Sequence, residues 1–390
     1  MAVERTLPTD EAAELLGLVR DIAAKELAPR AAADEEAARF PRDLFALLGR
    51  SGLLGLPYPV RYGGGGQPYE VYLQAVEELA GAWLAVGLGL SVHTLSCFPL
   101  AEYGDDAQRA AYLPALLGGE LLGAYCLSEA ASGSDAASLA TTARPDGAGH
   151  RIDGAKSWIT HGGAADFYTV FARTGGPGSG GRGISCFHVP AAAEGISADP
   201  PERKMGMAAS PTAVVRFSGV RTDTRVGEAG QGFPIALAAL DSGRLGIAAC
   251  AVGVAQAALD LAVAYSRERA QFGAPIGDFQ GVGFLLADMA TATAAARELY
   301  LAAARLRDSG RPYGAQAAMA KLFATDTAMK VTTDAVQVLG GSGYTRDFPA
   351  ERLMREAKVL QIVEGTNQIQ RMVIARGLAR GADPVAGRAR

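Results

Sequence analysis

The chain has 390 residues, of which 49% are hydrophobic and 20% charged, a balance that allows roughly two or three globular domains around a large core. A formal charge of −4 gives no electrostatic footprint for nucleic acid. The four cysteines (Cys97, Cys126, Cys186, Cys250) stand far apart, without CxxC spacing or a histidine cluster; they read as reduced thiols of a cytoplasmic protein, neither disulfides nor metal ligands.

The first 20 residues carry Glu4, Asp10, Glu11 and Glu14 and no apolar core, which excludes a signal peptide. From Thr9 to about 120 the pattern is helical: Leu15, Leu18, Val19, Ile22 and Ala23 recur at helical spacing, as do Leu44, Leu47 and Leu48. Breaks fall at Phe40-Pro41, Pro57-Tyr58-Pro59 and the glycines 63–66. Val71 to Val92 predicts one helix and the start of a second, with His93 as a packed or surface histidine. From Leu121 short alternating runs divided by glycines take over: Gly123–Ser128, Ala140–Arg144, His150–Thr160, Phe167–Arg173, Ile184–Pro190 and Ala213–Phe217. They predict a small antiparallel sheet or barrel, with Gly175 to Gly183 as a mobile hairpin tip. Helical periodicity returns after Gly232 and holds to the end. Leu245 to Ala264 is long and apolar, but Gln256 and Asp260 interrupt it; a helix buried among helices is expected, not a membrane span. The layout is α+β with segregated elements, and no internal repeat is visible.

Several runs carry chemistry. In Tyr125 to Asp135, small hydroxyl residues and Gly133 follow a strand, where backbone N–H groups can cradle a ligand or form a plain turn. Lys156-Ser157-Trp158-Ile159-Thr160 places one of the two tryptophans in a strand, as core or as the face of a flat ligand site. Asp241-Ser242-Gly243-Arg244 reads as a helix start. Arg267 and Arg269, followed by Gln271, Phe272 and Gly273, suit phosphate groups or a solvated helix end. Near the C-terminus, Glu364 stands in Val363-Glu364-Gly365-Thr366-Asn367 between two helical patterns. Asn367 with Gln370 resembles an N-terminal capping box. A carboxylate in an apolar break at a helix N-terminus suits a general base, while the plain alternative is an exposed loop glutamate.

Taken together, SEAASGSD (128–135), SWIT (157–160), DSGR (241–244), RxQFG (269–273), QVLGG (337–341) and VEGTNQIQR (363–371) strongly resemble the acyl-CoA dehydrogenase family, in family order and over essentially the whole chain. The resemblance implies an N-terminal α-helical domain (1–120), a middle β-barrel domain (121–235) and a C-terminal four-helix bundle (236–390). It also implies a homotetramer with one FAD per subunit, reaching into a neighbouring subunit. Glu364 matches the base that removes the α-proton of an acyl thioester. Tyr125, Leu127, Ser128, Gly133 and Ser134 match the segment along the flavin, with Ser134 also close to substrate. Trp158, Ile159 and Thr160 match the strand against the isoalloxazine. Arg269, Gln271, Phe272, Phe279 and Gln280 match contacts to the phosphates and adenosine, and Gln337, Gly340 and Gly341 the contact across the subunit interface. Thr366, Asn367 and Gln368 match a further FAD contact; Asp241, Arg244 and Gly365 match positions around the acyl-CoA.

The implied reaction is α,β-dehydrogenation of a short or branched acyl-CoA to the trans-2-enoyl thioester, with electrons passed to an electron-transferring flavoprotein. The family binds the thioester oxygen through a ribityl hydroxyl and the N–H of the base. Val363 stands where an aromatic residue is common, which implies room for branched or substituted short chains. Ala130 and Ser132 depart from a common proline and alanine, and His161 from a common amide. An acyl-carrier protein thioester as substrate, an oxidase or a flavin monooxygenase of the same fold, and a non-catalytic helical scaffold are the alternatives.

Overall fold

A computed structural model describes residues 3–176 and 178–379. The two ends of the expected first and last domains, 1–2 and 380–390, lie outside the described residues. Thr9, in an extended conformation, accepts a hydrogen bond from the Ala12 amide and starts α1 (Asp10–Ile22), which runs through a π-helical turn into α2 (Ala28–Glu36). After α3 (Arg42–Arg50), α4 (Tyr69–Ala82) stops where Trp83 turns extended, and α5 (Leu84–Tyr103) begins at once. The Trp83 indole donates to the Glu35 carboxylate at 2.9 Å, so the break is tied to α2. A reciprocal Asp105–Gln108 capping box opens α6 (Asp106–Leu117).

The middle of the chain forms β1 (Gly123–Cys126), β2 (Thr142–Asp146), β3 (Gly149–Thr160), β4 (Phe167–Arg173), β5 (Ile184–Pro190), β6 (Ile196–Ala198), β7 (Thr212–Thr222) and β8 (Arg225–Val226). Strand order is β6-β7-β3-β2-β4-β5-β8, with β1 on β4. The expected antiparallel sheet needs one correction, because β1 pairs parallel to β4, and so does the end of β2. The stretch between β1 and β2 is long enough to return the chain to the same end. Alternation along β4 sorts the two faces: Tyr168, Val170 and Ala172 point into a core shared with β1, β2, β3, β5 and β7, so the sheet curls about its own interior as a barrel does. Phe167 and Phe171 point the other way, onto residues of α5, α6 and the following helix.

That helix, α7 (Gly232–Glu268), is 37 residues long and corrects a second expectation. Asp241 to Arg244 lie in its interior, not at its start, since the apolar face is continuous from Ile235 onward. A small hairpin of β9 (Ala270–Gln271) and β10 (Ala274–Pro275) leads into α8 (Gln280–Asp308), α9 (Gly314–Leu339), the short α10 (Gly341–Tyr344), α11 (Ala350–Leu360) and α12 (Asn367–Ala379). The helices before and after the sheet share a single core, from Val19 and Tyr72 to Ala304, Ala328 and Leu360. Helices α5 and α7 are long and apolar enough to cross a membrane, but their most apolar windows are 94% and 67% buried inside the protein.

Helices α4 and α7 cross in that core with their backbones close together. A Cβ on Gly253 would lie 2.2 Å from the Glu77 carbonyl oxygen, a backbone atom that cannot step aside. Gly253→Ala is expected to cost about 1–3 kcal/mol by overpacking, read as a lowered midpoint in denaturant unfolding, whereas Gly17→Ala, with open space around it, should leave the midpoint unchanged or raise it slightly.

Candidate active site

The two helical patterns near the C-terminus end and restart as expected, but the link between them is built differently from a capping box. Glu364 and Gly365 both have left-handed backbones, with φ of 53° and 88°. For glutamate this conformation is uncommon and must be held in place. Thr366, not Asn367, caps α12: its hydroxyl accepts from the Ile369 amide at 3.3 Å. The Asn367 side chain is turned inward, donating to Asp326 Oδ1 at 2.7 Å and to Thr325 Oγ1 at 2.9 Å. Asn367 is 3% exposed, and its side-chain amide is used within the protein. Gln370 reaches back as a donor, to the Gly365 carbonyl at 2.8 Å and the Glu364 carbonyl at 3.3 Å.

This turn drives the Glu364 carboxylate into the protein. Its backbone is accessible, yet both carboxylate oxygens are buried and have no hydrogen-bond partner. The carboxylate rests on Gly243, where a Cβ would meet Oε2 at 2.0 Å, so a larger residue at this point of α7 would displace the carboxylate. Burial pushes the Glu364 carboxyl up to about 7, against the pull of Lys321 and Arg244. Arg244 is 4% exposed and is held by Asp241 at 2.5 Å. Among the described residues the Glu364 N–H finds no acceptor. Beside Gly243 a void of about 10 Å³ is lined by Tyr58, Tyr69, Thr94, Leu95, Phe98 and Arg307, among others. Tyr58 and Tyr69 are fixed there, donating to the Thr94 and Ser242 carbonyls.

The sheet presents a second group. Lys156, wholly buried, donates to the Leu127 carbonyl at 3.0 Å and to Glu129 at 2.8 Å. Glu129 in turn accepts from the Ala140 and Thr141 amides, which fixes the turn carrying Gly133 and Ser134 at the surface. Ser128 is bound to β3 through its carbonyl and the Ser157 amide. The β3–β7 register shifts between Lys156 and Ile159, and Trp158 takes a φ of 62°. Such a bulge re-aims a side chain: the indole is 64% exposed, beside a half-buried Thr160, while Ile159 points into the barrel. Leu127 is buried in the layer between sheet and helices. Tyr125 joins this group to the first, its hydroxyl donating to the Ala236 carbonyl on α7 and its ring within electrostatic range of Glu364. A flat apolar surface that the chain does not itself cover, flanked by a rigid small-residue turn, fits an isoalloxazine ring.

The third group lies elsewhere. Arg269, Gln271, Phe272 and Gln280 are exposed, Phe272 at 96% and Phe279 at 37%. Arg269 stands roughly 37 Å along α7 from Arg244 at 1.5 Å per residue. Gln337, Gly340 and Gly341, also exposed, occupy the same end of the bundle, where the Tyr265 hydroxyl bonds Ser342. A single chain therefore brings Glu364, Gly365, Thr366, Asp241 and Arg244 together but holds the phosphate-binding candidates far from them. Gln368 is exposed on α12. Lys321 and Tyr69 escaped the sequence reading, and Gln370 was read only as half of a capping box; the one available signal was a lysine inside the apolar run Ala317 to Ala324.

Comparison with known proteins points to one family. Family models described as the N-terminal, middle and C-terminal domains of acyl-CoA dehydrogenase match residues 9–120, 124–220 and 230–379. An acyl-CoA dehydrogenase of Bacillus subtilis (strain 168) is 46% identical over 376 residues, covering 96% of this chain and 99% of the relative. The structure of butyryl-CoA dehydrogenase from Megasphaera elsdenii superimposes with a TM-score of 0.94 at 39% identity, over 97% of this chain and 100% of that one. A chain from a structure described as the electron transferring flavoprotein of Acidaminococcus fermentans gives a TM-score of 0.94 at 41% identity, with the same coverage. With all three domain models matched in order and a relative of nearly equal length aligned end to end, the chain belongs to the acyl-CoA dehydrogenase family, a family of FAD-dependent oxidoreductases.

Proposed function

We propose that the protein oxidises a short acyl-CoA to its trans-2-enoyl thioester, with Glu364 as the base. The observation that carries this reading is the Glu364 carboxylate itself, its oxygens buried and left without a hydrogen-bond partner beside a small void. A carboxylate near 7 is a far better proton acceptor for a weak carbon acid than one at its ordinary value. Glu364 takes the α-proton, and its free N–H donates to the thioester oxygen as negative charge develops there. FAD, when bound, supplies the acceptor for the hydride leaving the β-carbon. Trp158 and Thr160, with the turn through Gly133 and Ser134, hold the ring and exclude water from its face. Asp241, Arg244 and Gly365 surround the acyl thioester.

Tyr58, Tyr69 and Arg307 line the void beside Gly243, and bulky side chains there favour a short acyl chain over a long straight one; Val363 in place of an aromatic residue favours a branch near the reacting carbons. Assembly into a homotetramer completes the same reading, because Arg269 with Phe272 and Gln337 with Gly340 and Gly341 are too far from Glu364 to serve one cofactor within a chain. Phe272 and Tyr344, 96% and 85% exposed, are surfaces for such a neighbour. The likeness to a chain from an electron transferring flavoprotein structure supports an electron-transferring flavoprotein as acceptor.

The direct test is anaerobic addition of acyl thioesters while flavin absorbance is followed. Butyryl- and isobutyryl-CoA are expected to bleach the flavin much faster than octanoyl-CoA; a preference for octanoyl-CoA would remove the short-chain assignment. Glu364→Gln should retain FAD yet lose at least about 100-fold in the bleaching rate. Because the ionised carboxylate is the active form and burial raises its value to about 7, the wild-type rate should climb as pH rises through that value. Gly243→Ala should also abolish most bleaching without releasing FAD, since its methyl group occupies the place of Oε2.

A further inference from the structure

A lysine with no exposed surface has to be accounted for. Lys321 lies on α9, and its ammonium donates to the Gly365 carbonyl at 2.9 Å and to Asn367 Oδ1 at 2.9 Å. Among the described residues no carboxylate pairs with it. One turn on, Thr325 and Asp326 hold the Asn367 amide, and Asp326 also accepts from Gln361 at 2.6 Å. One face of α9 therefore grips both ends of the link between α11 and α12, and Lys321 grips its middle, next to the two left-handed residues.

The titratable groups around Glu364 are Arg244, Asp241 and Cys250 on α7, Tyr69 on α4, Tyr125 on β1, and Lys321 with Asp326 on α9, with Arg307 of α8 over the Tyr69 ring. Arg244 already has Asp241 in contact at 2.5 Å. Asp326 is engaged by Arg371 at 3.1 Å as well as by the two amides. Lys321, the cation that pulls most on Glu364, has no contacting anion among the described residues, and the Glu364 carboxylate has no contacting donor. Inside a poorly polarisable site such a pair is felt over several ångströms.

We propose that Lys321 is the positioning residue of the base: it pins Gly365 and Asn367 so that Glu364 keeps the turn that aims its carboxylate at Gly243, and it is the countercharge that lets the carboxylate ionise there. The inference builds on Glu364 acting as the base, but its physical content concerns the ionisation of Glu364 alone. Burial moves Lys321 down to about 8 while Glu364 opposes that shift, in keeping with mutual support.

The test separates pinning from charge. Lys321→Gln keeps an N–H donor for the Gly365 carbonyl and drops the charge; Lys321→Met drops both. The primary readout is infrared titration of the protonated carboxyl band that vanishes in Glu364→Gln, which needs no turnover. Both variants should move its midpoint upward by about one pH unit or more. Lys321→Met should additionally lower the bleaching rate at high pH by about tenfold or more, because the turn is released. A midpoint in Lys321→Gln equal to wild type overturns the proposal. If neither variant accumulates as folded protein, Lys321→Arg decides: a wild-type midpoint supports the role of the charge, and a midpoint raised as far as expected for glutamine refutes it. If no acyl thioester bleaches the wild-type flavin, the dehydrogenase reading falls while the midpoint comparison still judges Lys321.

Discussion

A carboxylate kept dry and unpaired is unstable unless the surrounding structure forces it there, and the architecture around Glu364 supplies that force. The left-handed turn at Glu364 and Gly365 points the side chain inward, and the missing Cβ of Gly243 makes the space that receives it. Two cations, Lys321 and Arg244, keep the ionised form within reach. Together these features hold the side chain inward and offset part of the cost of burying its charge.

The rest of the molecule brings the walls of this pocket together. Helices from both ends of the chain share one core, so α4 and α5 supply Tyr69 and Leu95 while α7 supplies Gly243 and Arg244. The barrel joins through a different layer, and Tyr125 carries its edge to α7. A second buried charge works in the same way on the barrel side. Lys156 and Glu129 hold the turn of Gly133 and Ser134 against a bulged strand that leaves Trp158 facing outward. The two halves of the site are thus each set by a wholly buried lysine with its donors used on backbone and side-chain oxygens.

Uncommon backbone conformations mark the same places. Apart from glycines, left-handed residues include Trp158 and His161 at the end of β3, Phe272 in the exposed hairpin, and Glu364. Strain of this kind persists only where the surroundings over-determine it. At β3 the cause is visible: His161 is wholly buried, its Nδ1 on the Gly123 carbonyl and its ring packed against Phe40 and Phe45. His161 is thus a neutral histidine locking the end of β3 to β1, since burial moves it down to about 4.

Much of this was legible in the residues. Helical spacing before 120 and after 232, and alternation between, are imposed by which faces must be buried, so they survive in the linear pattern. The isolated Glu364 between apolar residues and a glycine was visible for the same reason: a charge in an apolar break is costly unless it is used. Four features were decided only by tertiary structure. The parallel pairing of β1 with β4 depends on where a long connection returns. The capping of α12 by Thr366 depends on α9 drawing Asn367 inward. The place of Asp241 to Arg244 inside α7 depends on an apolar face continuous across that stretch. Lys321 reads as an ordinary lysine until folding brings it onto the Gly365 carbonyl, 44 residues on in the sequence. Periodicity records what each element buries, but which groups meet across elements is fixed only once the elements have packed.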